Sequence, residues 1–226
     1  MAEGIILREL FLIRHGESRG NAGIEGEGLA DSADPCLTEL GVSQAEKLGV
    51  YLRDKIEFDA VYSSGLRRAV ETARGVIENQ TRELPLNVFP DICEIGVPPD
   101  YQGMSIDGLK ELCPGAVISD GYKDCESLVV PDETPGENEE RYFNRAKTVL
   151  DYFEARYTKG EKIAVVSHAA FLTYLLFYIM GYRDREPSYD FTLANTGLTR
   201  IIFYEPGSYP YGDIAFECVN DLRHLV

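Results

Sequence analysis

Two of the three histidines in the chain stand directly after apolar runs that are typical of buried strands. His15 follows the run Leu10 to Ile13 within Arg14-His15-Gly16-Glu17, and His168 follows residues 163–167. In an open α/β sheet, ligands bind beyond the carboxyl ends of the strands. A neutral imidazole placed there acts as a nucleophile or carries a proton. These two histidines are therefore the first candidates for chemistry.

A pair of arginines follows a third predicted strand. Ser63-Ser64-Gly65-Leu66 leads into Arg67 and Arg68, which the helical pattern places in the first turn of a helix. Because a helix N-terminus carries a partial positive charge, two cations are unfavourable there unless an anion lies close by. A bound phosphate suits both the guanidinium groups and the free backbone N–H groups. The arginines and histidines together predict a phosphate site.

The apolar pattern predicts the elements that would bring these groups together. Short β-branched runs alternate with helical patterns, which is typical of a three-layer α/β/α fold with a mixed, mostly parallel sheet. We expect strands over residues 8–14, 59–63, 86–92, 162–167, 191–194, 198–204 and 214–219, with an antiparallel edge among the last three. We expect helices over 66–78, 106–112, 139–157 and 169–180, and one capped by Thr38 that buries Leu40, Ala45, Leu48, Leu52 and Ile56.

The composition indicates one globular domain over residues 1–226. Of the 226 residues, 44% are hydrophobic and 27% charged, and the formal net charge is −16. Such an acidic surface argues against nucleic acid or an anionic membrane as partner. Five scattered cysteines without a Cys-x-x-Cys pair, together with only three histidines, favour neither a disulfide framework nor a metal site.

The N-terminal residues lack the basic and apolar segments of a signal peptide, and the apolar run 169–180 is too short to span a bilayer. We therefore expect a cytoplasmic protein. Taken singly, each candidate motif has a structural explanation: His168 would be a half-buried core histidine, and Arg67 or Arg68 a solvated helix face. The coincidence of three strand ends that each supply a phosphate-binding group favours function.

The sequence resembles the histidine phosphatase (phosphoglycerate mutase-like) superfamily, in particular its phosphatase branch. The resemblance covers nearly the whole chain and rests on several runs in the family's order, namely Leu12-Ile13-Arg14-His15-Gly16-Glu17-Ser18 with Asn21, Leu37-Thr38-Glu39-Leu40-Gly41 with Gln44-Ala45, Ser63-Ser64-Gly65-Leu66-Arg67-Arg68-Ala69 with Glu71-Thr72-Ala73, Val165-Val166-Ser167-His168, Asn195 and Thr199-Arg200.

The resemblance implies a role for each matching residue. His15 corresponds to the nucleophile that accepts the phosphoryl group, and Arg14, Arg68 and a protonated His168 correspond to the phosphate pocket. Further substrate contacts are expected from the residues Asn21, Ser18, Arg67, Tyr101 and Ala169. No metal or cofactor is implied, because the cationic side chains supply the positive charge for an in-line transfer. His224 has no part in this scheme.

The general acid that protonates the leaving group is expected after the strand ending near Ile92. Glu94, in Cys93-Glu94-Ile95-Gly96, matches the family's acid. Gln102 stands where the family usually has a second Glu, and the loop is longer than usual. The alternative acids in this part of the chain are Asp91, Asp100 and Asp107.

Residues 96–140 are Pro- and Gly-punctuated and carry eleven acidic residues against two lysines. A loop-rich segment of this length is typical of a lid, so we expect a cap over the site. If its carboxylates face the pocket, a second phosphate on the substrate would be repelled. Tyr101 and Tyr122 are the expected cap contacts to a monophosphate whose leaving group is neutral, cationic or partly apolar.

Three functions remain open at this point. The first is a cofactor-independent phosphomonoesterase that hydrolyses a small phosphorylated metabolite through a phosphohistidine. The second is a phosphoglycerate mutase, although mutases of this family carry a basic insertion where this chain is acidic. The third is a phospho-ligand binding module without catalysis. The sequence names neither the physiological substrate nor the oligomeric state.

Overall fold

The computed structural model describes residues 4–26, 32–101, 103–124, 127–130, 139–183 and 190–226. The strands in these residues are β1 (Ile6–Arg14), β2 (Ala60–Ser63), β3 (Leu86–Val88), β4 (Ala116–Ile118), β5 (Glu161–Ser167), β6 (Leu198–Tyr204) and β7 (Ile214–Asp221). The α-helices are α1 (Glu39–Arg53), α2 (Arg67–Ile77), α3 (Ile106–Leu112), α4 (Glu139–Arg156) and α5 (Ala169–Ile179). Short 3₁₀ turns lie at Pro90–Ile92 and Arg223–Leu225.

The strands form one sheet in the order β4-β3-β2-β5-β1-β6-β7. Neighbours from β4 to β1 are parallel, whereas β6 and β7 run antiparallel at one edge. The prediction of a mixed, mostly parallel sheet with an antiparallel edge is confirmed. In the register, Arg14 pairs with Ser167 and Ser63 pairs with Val166. The residues that follow β1, β5 and β2 therefore emerge side by side.

Helices cover both faces of the sheet, because successive side chains of a strand point to opposite sides. On β1, Leu10 and Leu12 pack with α4 and α5, while Phe11 and Ile13 pack with α1 and α2. These four side chains are at most 1% exposed. Burying one such side chain stabilises the fold by ~1.5–3 kcal/mol. The central strand that carries Arg14 and His15 is thus anchored from both sides.

Two of the predicted strands differ from the structure. The strand expected over 86–92 stops at Val88, because Pro90 has no N–H for the ladder and begins a 3₁₀ turn. Residues 191–194 form no strand, which corrects the prediction. Their backbone is instead bound by a side chain, since Asn220 accepts from the Ala194 N–H and donates to the Thr192 carbonyl.

The first helix confirms its predicted cap and corrects part of its predicted buried face. The Thr38 hydroxyl accepts from the Gly41 N–H at 3.0 Å, as a Thr N-cap does. Ala45, Leu48 and Leu52 are buried, but Leu40 is 54% exposed. Ile56 lies beyond the helix, which ends at Arg53.

Residues 96–140 contain more regular structure than their composition suggests. Besides the predicted α3 they form β4, which was not predicted and which extends the sheet beyond β3. Val97, Tyr101 and Val129 pack against Leu66 and Cys93, next to the end of β2. Gln102, residues 125–126 and residues 131–138 lie outside the described residues.

Candidate active site

The sheet brings the two predicted histidines together at the ends of neighbouring strands. His15 donates its backbone N–H to the Ser167 carbonyl at 3.0 Å, and the imidazoles of His15 and His168 have centroids 5.0 Å apart. Both side chains are buried, at 3% and 0% exposure. The parallel pairing of β1 with β5 thus places two imidazoles within reach of one small ligand.

The contacts of His15 define which ring nitrogen holds the lone pair. Nδ1 lies 2.6 Å from the Gly16 carbonyl, which can only accept, so the proton resides on Nδ1. Arg68 donates its Nε–H to Nε2 at 3.3 Å. Burial, reinforced by the positive charge of Arg68, holds the pKa of His15 well below its ordinary value. His15 is therefore neutral, with a nucleophilic Nε2 that faces a guanidinium.

The surroundings of His168 correct the expectation that it is protonated. Burial and the nearby charge of Arg68 hold the pKa of His168 well below its ordinary value. Nε2 lies 2.7 Å from the Ser64 hydroxyl, which also accepts from the Leu66 N–H. If that hydroxyl donates to Nε2, the imidazole proton sits on Nδ1, which is buried and has no hydrogen-bond partner among the described residues. An unpaired buried donor costs ~1–3 kcal/mol, which an anionic ligand would recover.

Arg68 is held by a carboxylate that the sequence analysis missed. Asp34 lies 3.4 Å from Arg68 Nη1, and the two side chains are only 3% and 10% exposed. Its carboxylate also accepts the backbone N–H of Arg67 at 2.7 and 2.9 Å, and the hydroxyl of Tyr101 at 2.9 Å. Burial raises the pKa of Asp34, whereas these donors and Arg68 oppose the rise.

Asp34 changes the interpretation of the helix N-terminus. The anion that lies beside the two arginines at the start of α2 is this carboxylate. Asp34 comes from a loop far along the chain from Arg67, and nothing local in the sequence marks it as a cap. Only the folded chain reveals the pairing.

The two adjacent arginines point to different places. Arg68 is 9% exposed and contacts His15, as the resemblance implied. The Arg67 side chain is 49% exposed and pairs with Glu71 at 2.8 Å, within its own helix. Arg67 and Tyr101, together with Asp34, line a cavity of about 490 Å³ that neither His15 nor Arg68 borders. The structure therefore does not bring these two predicted substrate contacts to His15.

Arg14 supplies a second cation near the histidines. Its Nη1 donates to the Leu193 carbonyl at 2.7 Å, while its Nε is buried without a hydrogen-bond partner in the described part of the chain. Burial lowers the pKa of Arg14, and the charge of Glu94 opposes this effect. Arg14 and His168 thus each present an unsatisfied nitrogen, as a site built for an anion would.

Glu94 shares a cleft of about 220 Å³ with Arg68. One of its oxygens accepts from the Ile95 N–H at 3.0 Å and from the Phe171 N–H, at the start of α5, at 3.1 Å.

The other predicted acids lie elsewhere: Asp91 is bound by the Tyr122 hydroxyl, and Asp100 and Asp107 are solvent-exposed. None of these three lines the cleft beside Arg68. Tyr122 packs on Phe89 in the core, whereas it was predicted to contact the substrate from the cap.

The family follows from a comparison with known proteins. The model of the histidine phosphatase superfamily (branch 1) matches residues 10–209. The chain belongs to this superfamily. The crystal structure of phosphoglycerate mutase from Bacillus anthracis aligns with a TM-score of 0.58 at 20% identity, covering 99% of this chain and 97% of that chain, which confirms the phosphoglycerate mutase-like fold.

Two curated relatives cover nearly the whole chain. A 5''-phosphoribostamycin phosphatase of Niallia circulans is 26% identical over 96% of this chain and 97% of its own length. The fructose-2,6-bisphosphatase TIGAR of Bos taurus is 27% identical over 96% of both chains. The chain is thus an enzyme of the histidine phosphatase type. Among the helices of the described ranges, none is both long and apolar enough to cross a membrane.

Ser18, Asn21 and Ala169 of this histidine phosphatase lie around the His15 loop. Ser18 is buried and donates its N–H to the Asn21 side-chain oxygen at 3.2 Å. That oxygen also accepts from Asn195 at 3.1 Å, and Asn195 donates in turn to the His15 carbonyl at 2.9 Å. The Asn21 side-chain oxygen thus accepts two hydrogen bonds, and the residue is exposed to solvent. Ala169 is half-buried and begins α5 directly after His168.

Several supporting residues belong to the quoted motifs, although the sequence did not predict their contacts. Thr72 accepts the Gly16 N–H at 2.9 Å, and Gln44 accepts the Glu17 N–H at 2.8 Å. Arg145 carried no sequence signal; it is buried and donates to the Cys93 carbonyl at 3.1 Å, directly before Glu94. Helices α1, α2 and α4 thus hold the loops that carry the nucleophile and the acid.

The acidic residues of 96–140 do not line the site in the described part of the chain. Six of their side chains are described, and all six are solvent-exposed, namely Asp100, Asp107, Glu111, Asp120, Asp124 and Glu140. None borders the cleft that Arg68 shares with Glu94. The expected repulsion of a second phosphate therefore has no support in these residues, because their charge faces solvent. The remaining acidic side chains of the segment lie outside the described ones.

Proposed function

We propose that the protein is a phosphomonoesterase that transfers the phosphoryl group of a small metabolite to His15 and then to water. The observation that carries this proposal is the neutral His15, whose Nε2 faces Arg68 at 3.3 Å. Arg14 and His168 lie close to His15, and within the described part of the chain Arg14 Nε and His168 Nδ1 have no hydrogen-bond partner. A neutral imidazole whose Nε2 lone pair lies beside a guanidinium, together with nearby N–H donors that lack an acceptor in the described residues, suits a phosphate dianion.

Binding would place the three non-bridging phosphoryl oxygens against these donors. Arg14 and Arg68 offer charged N–H groups, and His168 offers Nδ1–H. Asn21 donates from the rim. These groups stabilise the negative charge that spreads over the equatorial oxygens in an in-line transfer. In this proposal the positive charge comes from side chains, and the step uses no metal.

The first chemical step forms a bond between His15 Nε2 and phosphorus and breaks the bond between phosphorus and the leaving oxygen. The electron pair of that bond goes to the leaving alkoxide, which takes the proton of the Glu94 carboxyl. Glu94 suits this task because Ile95 and Phe171 hold one of its oxygens, which fixes the carboxyl within the cleft.

The second step regenerates the enzyme. The Glu94 carboxylate accepts a proton from water, and the water oxygen attacks phosphorus as the bond to Nε2 breaks. Inorganic phosphate leaves, and His15 returns to its neutral form with the proton still on Nδ1. The same carboxyl thus serves as acid in the first step and as base in the second.

We further propose that residues 1–226 form one domain, with residues 96–140 as a cap beside Glu94. Val97 and Val129 of this segment pack with Leu66 and Cys93, which flank Arg67 and Glu94 in the chain. The proposed location is the cytoplasm and the proposed partner a small phosphomonoester. With a net charge of −16, nucleic acid is not expected to bind.

A labelling experiment tests the function. The purified protein is mixed with excess p-nitrophenyl [³²P]phosphate, quenched in alkali, and digested for peptide mapping. We expect alkali-stable, acid-labile label on His15, release of inorganic phosphate, and full turnover after dialysis against a chelator. His15→Ala is the matched control and should remain unlabelled. Absence of label on His15, or turnover abolished by the chelator, would contradict the mechanism.

The same experiment separates the two alternatives. A mutase would pass the label to added 3-phosphoglycerate faster than to water. A binding module would retain inorganic phosphate reversibly and release no nitrophenol. Either result would replace the phosphomonoesterase proposal.

A further inference from the structure

The turn at residues 194–197 touches the main chain of the proposed nucleophile. Thr196 donates its N–H to the Arg14 carbonyl at 2.9 Å and to the His15 carbonyl at 3.3 Å. Arg14 donates its own N–H to the Gly197 carbonyl at 3.3 Å. The backbone from which the imidazole projects is therefore bound on this side by Thr196 and its neighbours.

Thr196 has an unusual backbone conformation for its residue type. Its φ is 57°, in the left-handed region that β-branched residues rarely adopt. The residue is also fully buried, at 0% exposure. Such a conformation persists only where surrounding contacts enforce it, so the neighbours of Thr196 are part of what orients His15.

The side chain of Thr196 is held by His224 from the C-terminal 3₁₀ turn. His224 Nε2 lies 2.8 Å from the Thr196 hydroxyl, and that hydroxyl donates to the Asn195 carbonyl at 2.7 Å. Because the hydroxyl has a single proton, a neutral His224 that donates from Nε2 satisfies both contacts. Burial lowers the pKa of His224 to about 4, so the imidazole is neutral near pH 7.

Asn220 holds the same turn from β7. It accepts the Ala194 N–H at 2.8 Å, and it too has a positive φ, of 53°. A Cβ on Gly197 would lie 2.0 Å from the Asn220 side-chain oxygen, so only glycine permits this approach. Asn220 and His224 both lie beyond residue 209, where the match to the family model ends. The C-terminal segment is thus built into the support of the nucleophile.

We propose that His224 is a positioning residue for phosphoryl transfer. By binding the Thr196 hydroxyl it keeps Thr196 in its left-handed conformation, and Thr196 in turn fixes the carbonyls of Arg14 and His15. The inference rests on the proposed role of His15 as nucleophile. It also revises the sequence analysis, which gave His224 no part.

The test compares His224→Ala with His224→Gln, whose amide nitrogen can reach the Thr196 hydroxyl. Arg223→Ala is the matched control, because Arg223 lies in the same turn and its side chain, among the described residues, pairs with the nearby Asp221. Single-turnover labelling of His15 gives the rate of phosphoryl transfer. Inhibition by inorganic phosphate gives the affinity of the pocket, and thermal unfolding gives stability.

We expect His224→Ala to lower the labelling rate by ~10- to 100-fold, the range expected when a reacting group is misplaced by about 1 Å. The affinity for inorganic phosphate should stay within about threefold, since Arg68 and His168 are not bound by this turn and the Arg14 side chain is held separately by the Leu193 carbonyl. His224→Gln should recover most of the rate, and Arg223→Ala should match the wild type. Thr196→Val should resemble His224→Ala, and combining both should add little, because they remove one contact.

A labelling rate unchanged in His224→Ala, or lost equally in Arg223→Ala, would overturn the inference while the phosphatase proposal stands. Additive losses in the double variant would overturn it as well. Absence of label in the wild type would instead refute the proposed function. If His224→Ala fails to fold, the comparison of His224→Gln with Thr196→Val decides, because those variants differ in whether the hydrogen bond survives.

Discussion

The floor and the wall of the site are built in different ways. The floor consists of His15, Arg68 and His168, which lie at the ends of adjacent elements and are at most 9% exposed. The wall consists of Glu94 and residues 95–98, a loop that leaves the sheet after β3 and is partly open to solvent. The floor is thus fixed by strand register, whereas the wall depends on side-chain contacts.

The floor and the wall have different roles in substrate binding. The floor must hold charge and lone pairs in one geometry for any phosphate, so it is buried and tied to backbone pairing. The wall meets the part of the substrate that varies, so it is formed by a loop. We expect changes in the floor to affect all substrates alike and changes in the wall to depend on the leaving group.

The largest effect is expected at the centre of the floor. His15→Ala removes the nucleophile, so kcat should fall by ~10³-fold or more with every substrate. Steady-state rates with an alkyl and an aryl phosphate measure this, with circular dichroism as the check on folding. A loss confined to one substrate would contradict the distinction between floor and wall, because the effect of a floor residue would then depend on the leaving group.

The next effect should be selective for the leaving group. Glu94→Gln removes the proton donor, so alkyl phosphates should lose ~10²–10⁴-fold in kcat while nitrophenyl phosphate, a good leaving group, loses far less. The ratio of the two losses is the measured quantity. Asp107→Asn, at an exposed position outside the cleft, is the control. Equal losses on both substrates would mean that Glu94 only positions the substrate.

Asp34 holds Arg68 of the floor, and its loss should weaken the floor indirectly. Asp34→Asn removes the carboxylate that is paired with Arg68 and weakens the cap of α2, so we expect a ~10- to 100-fold lower kcat/KM for all substrates and a lower Tm. Tyr101→Phe removes only one hydrogen bond to Asp34, which contributes ~1 kcal/mol, and serves as the milder comparison. An Asp34→Asn enzyme with full activity would show that Arg68 needs no such partner.

The pH dependence sharpens the description of the floor. His15 must be neutral to attack, and its pKa is held well below 6.5 by burial and by Arg68. With nitrophenyl phosphate, whose leaving group depends little on the Glu94 proton, the kcat/KM profile corrected for ionisation of the substrate should therefore stay level as the pH falls to 6.5 and decline only below it. Because the unfolded chain binds protons at these histidines first, the free energy of unfolding should also decrease below pH 6.5. An inflection at or above pH 6.5 would contradict a neutral, buried nucleophile.

The smallest effect is expected from the arginine that the floor does not use. Arg67→Ala removes an exposed ion pair with Glu71, of a kind that contributes roughly 0–1 kcal/mol. We expect activity within about threefold of the wild type, measured beside Arg68→Ala. If the two variants lose activity equally, Arg67 reaches the substrate and the separation of the two arginines is wrong.

The sequence alone determined the fold class and the members of the floor. A buried strand appears in the sequence as an apolar run; His15 and His168 follow two such runs, and Arg68 follows a third through a short turn. Because parallel strands have their carboxyl ends at the same edge of the sheet, residues that follow several such strands are expected to lie close together. The predicted bounds agree with the structure where the residues of the element itself specify it, as at α3. They fail where Pro90 ends a strand early, and where the Asn220 side chain binds a backbone segment that was expected to pair with another strand.

Only the tertiary structure decided which partners hold those groups. The pairing of Asp34 with Arg68, the burial that keeps His168 neutral and the contact of His224 with Thr196 each join residues far apart in the chain. The outward direction of the described acidic side chains in 96–140 is also a property of the fold. The physical reason is that charge, burial and hydrogen bonding depend on distance in space, whereas sequence patterns report only the elements that neighbours form.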